Sequence, residues 1–199
     1  MVKARDIVLV VIACALFIAA GVMAGMSMNG EWFKSSAIDN AVLEVGGNVS
    51  LSEFCTYGSI AGINLAGCVD RKTACGRDDF ALNFSQAEDK PICFTLQAGY
   101  LNRTALITSE ALFAVSVLFT LFALLFCKKL FRALAPICTV AALIFLLVGF
   151  FIMQNGVTNI NANIKNIFHT SQIEMVLATK PIFEFVSIGL GLFGSAASD

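Results

Sequence analysis

The sequence predicts a membrane four-helix bundle with a small disulfide-bonded, β-containing extracellular domain between helices one and two, and three observations carry that prediction. Four runs are long and apolar enough to cross a bilayer, at residues 7–28, 105–126, 135–153 and 175–197. Cations gather beside them in two short segments, Lys3 with Arg5 and Lys128, Lys129 with Arg132. Between the first two runs lies a polar insert, Asn29 to Thr104, which holds nine of the fourteen carboxylates, four of the seven cysteines and the only Trp.

Composition sets the class before any motif does. Hydrophobic residues make up 58% of the chain and charged ones 14%, against about a quarter charged in soluble domains. The net charge of −1 says little, because the two signs are segregated along the chain. No segment concentrates Lys and Arg as phosphate-backbone binding requires, so nucleic acid is not an expected partner.

Ile7 to Met28 is free of charge for 22 residues, and about 20 helical residues cross the hydrocarbon core. Lys3 and Arg5 ahead of Ile7–Ala20 also fit a secretory signal. The run continues apolar to Met28 with no small-x-small cleavage site, which favours a retained span. By the basic-side rule Lys3 and Arg5 keep the N-terminus cytoplasmic. Lys128, Lys129 and Arg132, two spans later in the loop 127–134, fall on that same side. The insert 29–104 and the second loop 154–174 are then outside, and the C-terminus is again cytoplasmic. The plasma membrane is the expected location.

Within the insert, Leu43 to Leu51 reads as a hairpin closed by Gly46-Gly47-Asn48, residues that tolerate the left-handed conformation of a tight loop. Cys55, Cys68, Cys75 and Cys93 are an even number in an oxidising compartment, where closed loops support a domain with little core. Two disulfides are expected. Three pairings are open and the sequence does not choose among them; Cys55 with Cys68 and Cys75 with Cys93 is the preferred set. Zinc is disfavoured because no Cys-x-x-Cys occurs. Cys14, Cys127 and Cys138 lie in or beside apolar runs as small buried hydrophobes; Cys127, beside Lys128, is also placed for acylation. The three sequons, at Asn48, Asn83 and Asn102, all fall in the insert, in keeping with an outside segment.

The second span carries one acid, Glu110, roughly 8 Å inside its outer end. The last span contains Lys180 and Glu184 at i, i+4, where they face each other on a helix. An intramembrane polar cluster of Glu110, Lys180 and Glu184 is expected to join helices two and four. Small residues form strips for close helix approach at Gly21 and Gly25 and at Ser187, Gly191 and Ser195. Ala135–Met153 sets Pro136 in a first turn, and after Met153 the apolar residues Val157, Ile160, Ile164, Ile167 and Phe168 extend the third helix outside the bilayer as an amphipathic stretch. His169 is expected to be a solvated loop residue.

Four spans, a long cysteine-bearing loop between the first two and a short one between the last two resemble the claudin and PMP22-like tetraspan superfamily. On that resemblance Trp32 stands for the family's early loop aromatic and Cys55 with Cys68, twelve residues apart, for its cysteine pair. The family's Gly-Leu-Trp stretch is absent, and Cys75 and Cys93 are additional. The resemblance implies a structural, adhesive or channel-accessory role.

Catalysis is not expected. A single His argues against most acid/base schemes, and no Cys-x-x-Cys for thiol redox, no Ser/His/Asp set and no phosphate-cradling glycine loop occurs. No cofactor or metal is implied. Lipid and other membrane protein subunits, met laterally or across a cell contact, are the expected partners. The preferred function is an accessory or structural subunit of a larger membrane assembly. The alternative is claudin-like adhesion, or a paracellular barrier or cation pore lined by the acidic insert.

Overall fold

In a computed structural model the chain is described for residues 4–35, 38–40, 43–60, 63–76, 91–126, 129–168, 175–178 and 180–198. Asn83, Cys127, Lys128 and His169 lie outside the described residues. The elements run α1 (Ala4–Ser27), β1 (Phe33–Ser35), β2 (Ile38–Asn40), β3 (Leu43–Val49), β4 (Glu53–Ile60), β5 (Ile63–Asp70), α2 (Arg71–Cys75), α3 (Pro91–Phe126), α4 (Lys129–Phe168), β6 (Met175–Leu177) and α5 (Lys180–Ser198). They fall into two compact units. One comprises Met1–Met28, Thr104–Gly149 and Pro181–Asp199, the other Asn29–Arg103 and Phe150–Lys180.

Among the described residues three helices are long and apolar enough to cross a membrane: Ile7–Ser27, Ile92–Phe126 and Leu130–Ala162. α3 starts earlier than expected, at Pro91, and α4 starts earlier, at Lys129, while its run to Phe168 is the extension expected past Met153. α3 has 36 residues and α4 has 40, about 54 and 60 Å at the helical rise, against a hydrocarbon core of about 30 Å. α3 begins at Pro91, where a missing amide costs nothing at a helix's first position. Because α4 begins at Lys129, Pro136 is in the helix interior and not in a first turn. Its missing N–H leaves the carbonyl four residues earlier without a helical donor.

In the helical unit, contacts run through small residues. Ser187 Oγ of α5 donates to Ala20 O of α1 at 2.7 Å. A Cβ at Gly191 would lie 2.9 Å from Phe113 Cε1 and 3.0 Å from Leu143 Cδ2, and one at Gly194 would lie 2.6 Å from Phe17 Cε1. The close contacts on α5 therefore include Ser187 and Gly191 of the expected strip, and Gly194 meets α1 as well. On α1, Gly21 and Gly25 face α3: an added Cβ would lie 3.8 Å from Phe113 Cβ at Gly21 and 3.6 Å from a carboxylate oxygen of Glu110 at Gly25. The buried hydroxyls of α3 and α4 form a knot: Thr139 Oγ1 donates to Ser116 Oγ at 3.1 Å, and both stand within hydrogen-bond distance of Ala135 O.

The second unit is organised by an antiparallel sheet of order β5-β4-β3-β1-β6, with β2 also paired to β3. Phe33, Val49 and Phe54 stand opposite one another across β1, β3 and β4, and all three are buried. The next cross-strand row, Lys34, Asn48, Cys55 and Cys68, is on the other face, as the two-residue period demands. Trp32, fully buried, joins the sheet at both sides: its N–H donates to Val49 O and its carbonyl accepts from Ala178 N–H, each at 2.8 Å.

The expected hairpin at Gly46-Gly47-Asn48 is not formed. Those residues lie inside β3, paired with Tyr57, Thr56 and Cys55 of β4. The glycine serves close approach instead of a turn: a Cβ on Gly46 would lie 2.3 Å from Tyr57 Cε2, so the tyrosine ring occupies the space a side chain would take. The chain reverses after Val49, where Ser50 N–H donates to Glu53 O and Ser50 Oγ accepts from Glu53 N–H, both at 2.9 Å. Met175–Leu177, expected to open the last span, is instead the strand β6, paired with Phe33–Ser35.

Candidate functional site

The chain joins Cys55 to Cys68 and Cys75 to Cys93. The first bond links directly opposed residues of β4 and β5. The second ties α2 to the first turns of α3, with Phe94 and Ala74 packed around it. Loops of 13 and 18 residues are closed in this way, each contributing about 3 kcal/mol by restricting the unfolded chain. Glu53, Cys55 and Cys68 bring ligand-type atoms within 4.8 Å of one another. With both sulfurs bonded to each other, that group offers no thiolate to a metal.

The outward face of the sheet is polar. Glu31 forms an ion pair with Lys34 and accepts from Asn48 Nδ2 at 2.5 Å. Hydrogen bonds from Lys34 and Asn48 hold the Glu31 carboxyl below the usual carboxylate range, and Glu31 raises the Lys34 ammonium in turn. Both groups are exposed, so the pair adds little to stability. Its effect is to order the start of the sheet beside Trp32. Tyr57 and Cys68 on that face are also exposed.

The sequons separate. Asn48 has its amide nitrogen engaged by Glu31 and is half-buried. Asn102 is fully buried in the sheet unit, with both polar side-chain atoms lacking hydrogen-bond partners. No room exists there for a glycan, which corrects the expectation at that site; Asn102 lies inside α3, which begins at Pro91, and its side chain is buried.

The expected cluster of Glu110, Lys180 and Glu184 is not assembled by hydrogen bonds. Glu110 is exposed and rests against the Gly21 and Gly25 face of α1. Glu184 is completely buried and neither carboxylate oxygen has a hydrogen-bond partner, so Lys180 does not bond to it. The reason lies in where the helix starts. Lys180 is the first residue of α5, and its aliphatic stem passes Gly30 in the sheet unit, where a Cβ would meet Lys180 Cε at 2.9 Å. Gly30 has φ +102°, a conformation that favours glycine, and this both lets the chain enter β1 and leaves room for the lysine.

One cavity in the sheet unit was not foreseen from the sequence. Its volume is about 210 Å³, and Leu51, Asp70, Arg71, Tyr100 and Arg103 are among its lining residues. Arg71 Cζ stands 4.3 Å from the centre of the Tyr100 ring, and its Nη1 donates to Gln97 Oε1 at 3.3 Å. Asp70 caps α2, accepting from Thr73 N–H at 2.8 Å, and hydrogen bonds from Thr73 keep its carboxyl below the usual range. The available signal was Asp70-Arg-Lys-Thr73, an N-cap followed by two cations.

Among the described residues, then, stand three membrane-length helices and a disulfide-bonded β module. No protein-family model matches the sequence, and no curated protein matches it significantly.

Proposed function

We propose that the chain is a non-enzymatic four-pass membrane protein of claudin/PMP22-like architecture, acting as an accessory or structural subunit of a larger membrane assembly. In this reading α5 is the fourth span and packs with α1, α3 and α4 as a bundle. The close contacts of Ser187, Gly191 and Gly194 support it. Both termini are cytoplasmic and the sheet unit faces outward at the plasma membrane. Lys3, Arg5, Lys129 and Arg132 favour that orientation, and two disulfides belong in an oxidising compartment.

The observation that carries the functional reading is the two-sided sheet. One face is closed over Trp32, Phe33, Val49 and Phe54, while the other presents Lys34, Tyr57 and Cys68, braced by a disulfide. A pre-ordered polar surface of this kind recognises another protein at low ordering cost. Co-purification in mild detergent tests it: one dominant membrane partner at a fixed ratio is the expected result. The acidity of the insert, with nine carboxylates, favours a second reading, adhesion or a cation-selective paracellular route. That reading requires the protein to concentrate where two expressing cells touch. An evenly spread, monodisperse and unaccompanied protein contradicts both.

A further inference from the structure

We propose that the cavity bounded by Leu51, Asp70, Arg71, Tyr100 and Arg103 binds the phosphate of an anionic lipid headgroup. The charge balance favours an anion. Among the described residues that line the cavity, three are cations, Arg71, Lys72 and Arg103, and one is a carboxylate, Asp70, for a net charge of +2 (3 − 1). The carboxylate is turned to the α2 backbone, where Oδ1 accepts from Thr73 N–H. Glu53, opposite Asp70 across β4 and β5, is the nearest acid in the register and is not among the lining residues.

The site is ordered before any ligand arrives. Arg71 is stacked on Tyr100 and bonded through Nη1 to Gln97, so one edge of a planar, five-donor guanidinium is fixed. Such a fork meets two phosphate oxygens at once, which a lysine ammonium cannot do. A stacked guanidinium also loses less freedom on binding.

Size and surroundings select a headgroup over a larger ligand. About 210 Å³ is below the range of about 300–1,000 Å³ that holds drug-sized molecules. Leu51 and Leu96 line the wall beside the cations, an arrangement suited to a phosphate that continues into glycerol and acyl carbons. Along the sequence, Arg103 is separated by one residue from the apolar run that starts at Ala105, the level at which cationic side chains meet headgroups. A free phosphate would share the same donors but would leave the apolar wall unused.

The inference depends on membrane insertion of the long helices and not on the accessory role, so loss of the co-purifying partner does not bear on it. Native mass spectrometry of the full chain released from phosphatidylcholine nanodiscs, with or without phosphatidylglycerol, tests it directly. One phosphatidylglycerol is expected to remain bound while phosphatidylcholine is shed. Arg103→Gln, at an exposed helix position, and Arg71→Lys, which keeps the charge but loses the fork and the ring stack, should each weaken retention about tenfold or more. Equal retention of both lipids, or retention unchanged in both variants, overturns the proposal. Displacement of phosphatidylglycerol by millimolar inorganic phosphate overturns the lipid as the source and leaves a free-anion site.

Discussion

The helical unit and the sheet unit sort their residues in opposite directions. In the helical unit the surface is branched and aromatic, with Val8, Val11, Ile18, Leu125, Phe126 and Ile137 all more than half exposed, while Ser109, Ser116, Thr139, Glu184 and Ser187 are buried. In the sheet unit Trp32, Phe33, Val49 and Phe54 are buried and Glu31, Lys34 and Thr56 lie outside. A soluble fold follows the second pattern throughout. The first is stable only where the surrounding medium is as apolar as the side chains facing it, and where interior hydroxyls, not the hydrophobic effect, join helix to helix. One chain therefore carries surfaces built for two solvents.

Substitutions should expose that inversion, and the largest effect belongs to the core of the sheet. Trp32→Ala is expected to cost about 3–5 kcal/mol, read as a lower thermal midpoint and faster proteolysis of the module. Leu125→Ala, at a residue 71% exposed, should leave the midpoint in lipid almost unchanged. A loss at Leu125 to match that at Trp32 would remove the contrast. Replacing Cys55 and Cys68 by Ala should cost about 2–4 kcal/mol, measured by thermal unfolding with Cys75–Cys93 intact.

Glu184 tests the interior of the helices. A buried carboxyl without a hydrogen-bond partner burdens the fold, so Glu184→Met is expected to raise stability in detergent by about 1–3 kcal/mol. A decrease would mean that the carboxyl is served by a group that methionine cannot replace. The smallest effect is at the exposed pair. Because bonds from Lys34 and Asn48 depress the Glu31 pKa, their contribution is present above the ordinary carboxylate pKa and is lost as pH falls through the lowered folded value. Glu31→Gln should flatten only that acidic limb of a stability-against-pH profile.

What the sequence disclosed depended on how local the signal was. The long apolar runs and the four loop cysteines depend on composition and could be read directly; so could a β-containing module in the insert. Gly46 and Gly47 were ambiguous, because a glycine that admits a turn and a glycine that admits a neighbouring ring look alike until Tyr57 is placed. Met175–Leu177 reads as the head of an apolar helix, since its partner strand lies far upstream at Phe33–Ser35. The Ser116–Thr139 knot leaves no mark in hydropathy, as single hydroxyls pass unnoticed in an apolar run. Arg71 and Arg103 are 32 positions apart in sequence and become neighbours only when α3 starts early, at Pro91.

The central claim, an exported disulfide-bonded module on membrane-spanning helices, is tested most directly by adding protease to sealed right-side-out vesicles and mapping the fragments without reduction. The account predicts cleavage confined to the sheet unit and its second connection, with peptides joined through Cys55–Cys68 and Cys75–Cys93. Protection of that unit, or recovery of those four cysteines as free thiols, would contradict it.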